Sequence, residues 1–166
     1  LIVIHAGVGE EAGGGAQGSD AIWSHRWNLG GLYPIECTEY TDENGNTRPY
    51  YAYDYTIEPE DGAAGVFCHE FGHDLGAPDE YDTIYSSASS EPVAFWSLMS
   101  SGSWGGAIPG TEPTGISPYS RQLFQNIYGG RWQNQTVIDY SDLSNRGTKY
   151  TINSAAETGD VLRINL

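Results

Sequence analysis

The chain reads as an α+β protein in which a mixed, twisted sheet supports a helix carrying metal-binding side chains, a second helix follows, and short strands close the sequence. Three observations predict this. An apolar, β-branched run, Leu1-Ile2-Val3-Ile4-His5, opens the chain and suits a strand buried on both faces. A segment ending at Gly76 and Pro78 has helical spacing and carries two histidines four residues apart. Around it lie alternating aromatic and β-prone stretches, at 33–57 and again at 131–166. With 166 residues the chain is long enough for one substantial core, and no second full-sized domain is expected.

Taken in order, the first strand ends at Ala6-Gly7. Gly7-Val8-Gly9-Glu10-Glu11-Ala12 imitates a dinucleotide-binding turn, but Gly13-Gly14-Gly15 opposes the helix such a site needs, so residues 7–18 read as a loop. Ser19 or Asp20 can cap a short helix through Trp27, with Trp23 and Trp27 on one face. From Tyr33 to Ile57 the pattern is that of a hairpin with Asn44-Gly45 at its turn. Tyr51, Tyr53, Tyr55 and Ile57 give one strand an aromatic face, and that strand is a candidate edge for pairing with an extended peptide. A helix is expected from Asp61 to Leu75, then mostly irregular chain over 81–117. Ser117-Pro118 starts a second helix of about three turns and Gly129-Gly130 stops it. Short strands are expected at 136–140, 149–153 and 161–166.

The chemistry concentrates in Cys68-His69-Glu70-Phe71-Gly72-His73-Asp74-Leu75-Gly76-Ala77-Pro78-Asp79-Glu80. Residues four apart share a helix face, so His69 and His73 can direct both imidazoles at one ion. Glu70 stands on the flank of that face, where a carboxylate can reach a metal-bound water as a general base without ligating the metal. Gly76 and Pro78 end the helix and turn the backbone, after which Asp79 or its neighbour Glu80 can return an oxygen to the ion. Three protein ligands leave one position open for catalysis. The bland alternative is a chance HExxH in a protein that binds no metal; the stop at the spacing of a longer HExxHxxGxxD pattern weighs against it. His5 and His25 have no accompanying motif and read as structural or surface histidines.

Downstream, Ala94-Phe95-Trp96-Ser97-Leu98-Met99-Ser100-Ser101-Gly102-Ser103 surrounds the only methionine with serine and glycine. On its own Met99 is a core filler. After HExxHxxGxxD, the segment resembles the Met-turn of the metzincin clan of zinc peptidases, in which the methionine lies beneath the metal and is not a ligand. HEFGHDLGAPDEYD, GGGAQGSDAIWSHRW and EPVAFWSLMSSGSW together resemble segments of the immune inhibitor A family of secreted bacterial zinc metallopeptidases, over about residues 1–130. The resemblance implies a zincin, metzincin-like fold, with His69 and His73 as zinc ligands, Glu70 as catalytic base, Met99 as the Met-turn residue and Asp79 in the third-ligand slot. Metzincins more often carry histidine in that slot, and Glu80 is the alternative. The implied organisation is a catalytic domain at 1–130, truncated on its N-terminal side, and a β-rich extension at 131–166. The implied activity is a secreted, extracellular zinc endopeptidase acting on proteins or peptides. The competing class is a non-catalytic zinc-binding or protein-binding module, which would have no use for a base at Glu70.

The remaining composition is compatible with this resemblance. A net charge of −15 with a single lysine argues against nucleic acid or anionic membrane surfaces as partners. No apolar run is long enough to span a bilayer. Asp42, Glu43, Asn44 and Asn46 form one loop whose oxygens could coordinate a structural Ca²⁺, although it lacks the twelve-residue EF-hand pattern. Cys37 and Cys68 could pair in an oxidising compartment, or Cys68 could be a free thiol within the core. Ser101 stands where a GxSxG nucleophile elbow needs glycine, which disfavours a serine hydrolase. Tyr119 and Tyr128 are expected to pack.

Overall fold

The computed structural model describes residues 1–84, 91–142, 144 and 147–165, apart from the side chain of Cys37. Strands β1 (Ile2–His5), β2 (His25–Thr41) and β3 (Thr47–Pro59) form a sheet in the order β1-β3-β2. Helix α1 (Ala64–Asp74) follows β3 directly, and helix α2 (Pro118–Tyr128) precedes a separate parallel pair, β4 (Asn134–Asp139) and β5 (Asp160–Asn165). The mixed sheet and the two helices are those of an α+β domain.

The β2–β3 hairpin turns where Asn44-Gly45 predicts it. Gly45 has φ 80°, and the Asp42 carboxylate accepts the backbone N–H groups of Asn44 and Asn46 and the Arg48 guanidinium. Asp42 is thus engaged in closing the turn.

Several expectations are corrected. The helix from Ser19 to Trp27 does not form: only a single 3-10 turn, Gly18–Asp20, is present, and Trp27 lies in β2 opposite Tyr55. Pairing with the aromatic face of β3 outweighs a weak local helix signal. Secondly, β3 is the central strand and not the edge, because β1 pairs parallel to its other side in the register Ile2↔Thr56 to His5↔Pro59. The edges are β1 and β2, and the β-branched side chains of Ile2 and Ile4 in β1 are about half exposed instead of buried on both faces. Thirdly, residues 149–153 form no strand; Asn153 donates from its backbone and its amide to the Asp160 carboxylate at the start of β5. Fourthly, Cys68 is exposed and not a core residue. Its pairing with Cys37 lies outside the described residues, as do 85–90 of the irregular segment and Leu166 of the last strand.

Helix α1 begins three residues later than expected. Its opening residues have no side-chain cap; the Gly65 N–H instead donates to the Gly110 carbonyl at 2.8 Å. It stops at Gly76, φ 99°, as its spacing predicts. Helix α2 is capped by Ser117, whose Oγ accepts the Ser120 N–H at 3.1 Å with proline in the first turn. Between the helices lies the core of Ala77, Leu98, Met99 and Phe124, closed by Leu75 and Ile116. Tyr128 donates its hydroxyl to the Leu75 carbonyl and Tyr119 is exposed, so neither enters the cleft.

Candidate metal and catalytic site

Helix periodicity and two carbonyl oxygens set the histidines. His69 and His73 are one turn apart on α1, their rings 4.8 Å between centroids and mutually perpendicular. His69 Nδ1 lies 2.9 Å from the Leu98 carbonyl and His73 Nδ1 lies 2.8 Å from the Ala77 carbonyl. A carbonyl can only accept, so each Nδ1 carries a proton, and in the neutral form of each ring the lone pair is left on Nε2, which faces the cleft. Asp79, brought back by the turn after Gly76, places Oδ1 at 3.2 Å from His69 Nε2 and 3.3 Å from His73 Nε2.

This cluster fits a tetrahedral ion. Donors about 2.0–2.1 Å from a zinc ion lie about 3.3 Å apart along the edges of a tetrahedron, close to the spacing of Asp79 from both rings. Asp79 Oδ1 is buried and has no hydrogen-bond donor in good geometry, so three electron-rich atoms converge on a point that only positive charge can satisfy. Burial opposes ionisation of Asp79, yet the two imidazoles hold its carboxyl well below the ordinary carboxylate range. Burial likewise opposes charge on His73, and Asp79 with the Ala77 carbonyl raises its pKa despite that. Among the described residues His69, His73 and Asp79 are the one cluster of three or more His, Cys, Asp or Glu side chains with metal-ligand spacing.

Glu70 is 7% exposed and lines the same cavity of about 520 Å³ as His69, His73 and Asp79. Burial pushes its carboxyl above the ordinary glutamate value, against the pull of the two histidines. A carboxylate raised in this way is a stronger base than one in water. Glu80 is elsewhere. Its Oε1 accepts the hydroxyls of Ser117 at 2.6 Å and Ser120 at 2.7 Å, at the start of α2. Met99 is fully buried below α1, its sulfur against Gly72.

Several cavity residues were not legible as such. The start of edge strand β2 and the segment before it contribute Trp23, Ser24, His25 and Arg26. His25, expected at the surface or in a structural role, faces the cavity with Nδ1 donating to the Trp23 carbonyl and Nε2 paired with the Tyr55 hydroxyl. Arg26 bridges Asp54 at 2.5 Å and Asp74 at 3.2 Å, tying the sheet to the end of α1. Tyr81 stacks on His69 at 6.4 Å between ring centroids. Trp23 to Arg26 lie within the family-like segment GGGAQGSDAIWSHRW and Tyr81 within HEFGHDLGAPDEYD, but neither pattern assigned these residues a place in the cavity.

Residues 1–133 match the family profile described as the catalytic domain of immune inhibitor A peptidase M6. The chain belongs to this family. Its relatives include the pre-pro-metalloprotease PrtV of Vibrio cholerae serotype O1, 53% identical over 143 residues that make up 86% of this chain. Immune inhibitor A of Bacillus thuringiensis subsp. alesti is 53% identical over 150 residues, 87% of this chain. The matched segments are 16% of PrtV and 21% of immune inhibitor A, so the chain spans about a fifth or less of these M6 relatives. No helix among the described residues of this M6 domain is long and apolar enough to cross a membrane.

Proposed function

We propose that this chain is the catalytic domain of a secreted bacterial zinc endopeptidase of the immune inhibitor A family. The carrying observation is the convergence of His69 Nε2, His73 Nε2 and Asp79 Oδ1 beside Glu70 in one cavity. In this reading those three atoms hold zinc, residues 1–130 form the catalytic domain, and 131–166 begin a β-rich extension. Export is supported by the name of PrtV, which describes a precursor with pre and pro segments.

When bound, zinc polarises the scissile carbonyl and acidifies its water towards a pKa of about 7. The chain's own residues do the rest. The Leu98 and Ala77 carbonyls hold both imidazoles in the tautomer that offers Nε2. Glu70 accepts the proton of the attacking water and returns it to the leaving amine. An extended peptide lies along the free edge of β2, held by backbone pairing, since β3 has both neighbours and cannot take one. Met99 forms a hydrophobic base beneath the histidines, the Met-turn of the metzincin pattern. A non-catalytic module is disfavoured because a structural site gains nothing from a buried carboxylate with a raised pKa beside it.

The test is metal content measured with casein cleavage. About one zinc per chain, cleavage suppressed by a chelator, and a Glu70→Gln protein that keeps zinc while losing turnover are expected. Casein cleavage by Glu70→Gln at the parental rate refutes the base assignment, and zinc binding that survives His73→Ala refutes the ligand assignment.

A further inference from the structure

We propose that Glu80 is a positioning residue that fixes Asp79 for the metal by clamping the turn after α1 to the first turn of α2. The inference rests on the assignment of Asp79 as the third ligand.

Asp79 sits on a short bridge with little holding it directly. Pro78 has no N–H, and among the described residues neither Pro78 nor Asp79 makes a backbone–backbone hydrogen bond. The bridge is pinned at its ends. On one side the Ala77 N–H donates to the Gly72 carbonyl at 3.0 Å and the Ala77 carbonyl accepts from His73. On the other side everything runs through Glu80, whose N–H donates to the Met99 carbonyl at 2.7 Å and whose Oε1 takes the Ser117 and Ser120 hydroxyls. Distances of 2.6 and 2.7 Å are those of charge-assisted bonds between hydroxyls and a carboxylate. Ser117 is also the N-cap of α2, so the glutamate charge lies at the positive end of that helix. The carboxylate one residue from a ligand is therefore turned away from the metal and anchored to a rigid element. Metal sites depend on such supporting contacts, whose loss typically weakens metal binding about 10–100-fold.

The chemistry of the anchor allows a discriminating pair of variants. Glu80 Oε2 is buried with no hydrogen-bond partner, so Glu80→Gln can place its amide nitrogen there while its carbonyl oxygen still accepts both serines. Glu80→Leu cannot. Zinc affinity of the full-length protein is measured by competition with a chromophoric chelator, in the parental and Asp79→Ala backgrounds. Glu80→Leu is expected to weaken zinc binding about 10–100-fold in the parental background and little in Asp79→Ala. Glu80→Gln should stay within about threefold of the parent. Should Glu80→Leu not fold, the Ser117→Ala/Ser120→Ala protein is the substitute and is expected to behave alike. Equal losses in both backgrounds mean that Glu80 acts on folding and not through Asp79, and overturn the proposal; so does an unchanged affinity in Glu80→Leu. A parental protein that binds no zinc refutes the metal assignment, and the proposal falls with it.

Discussion

Met99 packs its sulfur against the bare backbone of Gly72, the residue before the second histidine of α1. A Cβ at Gly72 would lie 2.6 Å from Met99 Sδ, inside contact distance, and Met99 is fully buried. The helix and the methionine loop therefore meet at a glycine, and the floor of the histidine pair is set by that meeting.

Gly72→Ala is accordingly expected to destabilise the fold by about 1–2 kcal/mol, overpacking outweighing the gain in helix propensity. Gly65→Ala should cost more, because its Cβ would collide with the Ser103 carbonyl oxygen, a backbone atom that cannot rotate aside. Chemical denaturation of the two variants beside the parent checks the order, and a Gly72→Ala protein more stable than the parent contradicts the packing argument.

Removing metal should lower thermal stability. Zinc present at about a thousandfold over its dissociation constant stabilises the folded state by about 4 kcal/mol. A melting scan with and without chelator measures the difference, and His69→Ala or His73→Ala should abolish most of it. A chelator effect of the same size in those variants places the metal elsewhere.

A pH dependence follows from Glu58, a β3 residue that is 1% exposed with Oε2 unpartnered. Burial, helped by the nearby charge of Asp74, raises its pKa above the ordinary glutamate value. A group whose folded pKa is raised contributes stability that is present below the unfolded pKa and lost as pH rises through the folded value. Glu58→Gln removes that loss. Its melting temperature should exceed the parental one at neutral pH, and the gap should close as the pH falls to about 4. A gap that widens on acidification reverses the sign and rules the argument out.

Arg26 is predicted to matter for substrate more than for the fold alone. It joins β2, the edge proposed to pair with peptide, to Asp74 at the end of α1 and to Asp54 of β3. Arg26→Met leaves the largely buried Asp74 carboxylate without its cation, and about 1–2 kcal/mol of stability should be lost after allowance for solvent screening. Steady-state kinetics on a peptide substrate should show KM rising more than kcat falls. The reverse split would mean that the edge strand does not hold substrate through this contact.

The histidine pair, the flanking glutamate and the stop at Gly76 were legible because each depends on residues within one or two helical turns, where backbone geometry alone fixes which side chains meet. The same holds for the Ser117-Pro118 start of α2 and the Asn44-Gly45 turn. Trp27, β3 and residues 149–153 were misread for the converse reason. Whether Trp27 is helical depends on Tyr55, and whether β3 is an edge depends on a strand more than fifty residues earlier in the chain. Asp79 and Glu80 show the division most sharply. Adjacent carboxylates after one turn are equivalent by spacing, and they part only because Ser117 and Ser120, about forty residues later, take one of them. Sequence alone determined that two histidines share one face of a helix with a glutamate on its flank. Tertiary structure decided which carboxylate lies beside the histidines and which strand borders them, because those choices are made by partners distant in the chain that no local periodicity encodes.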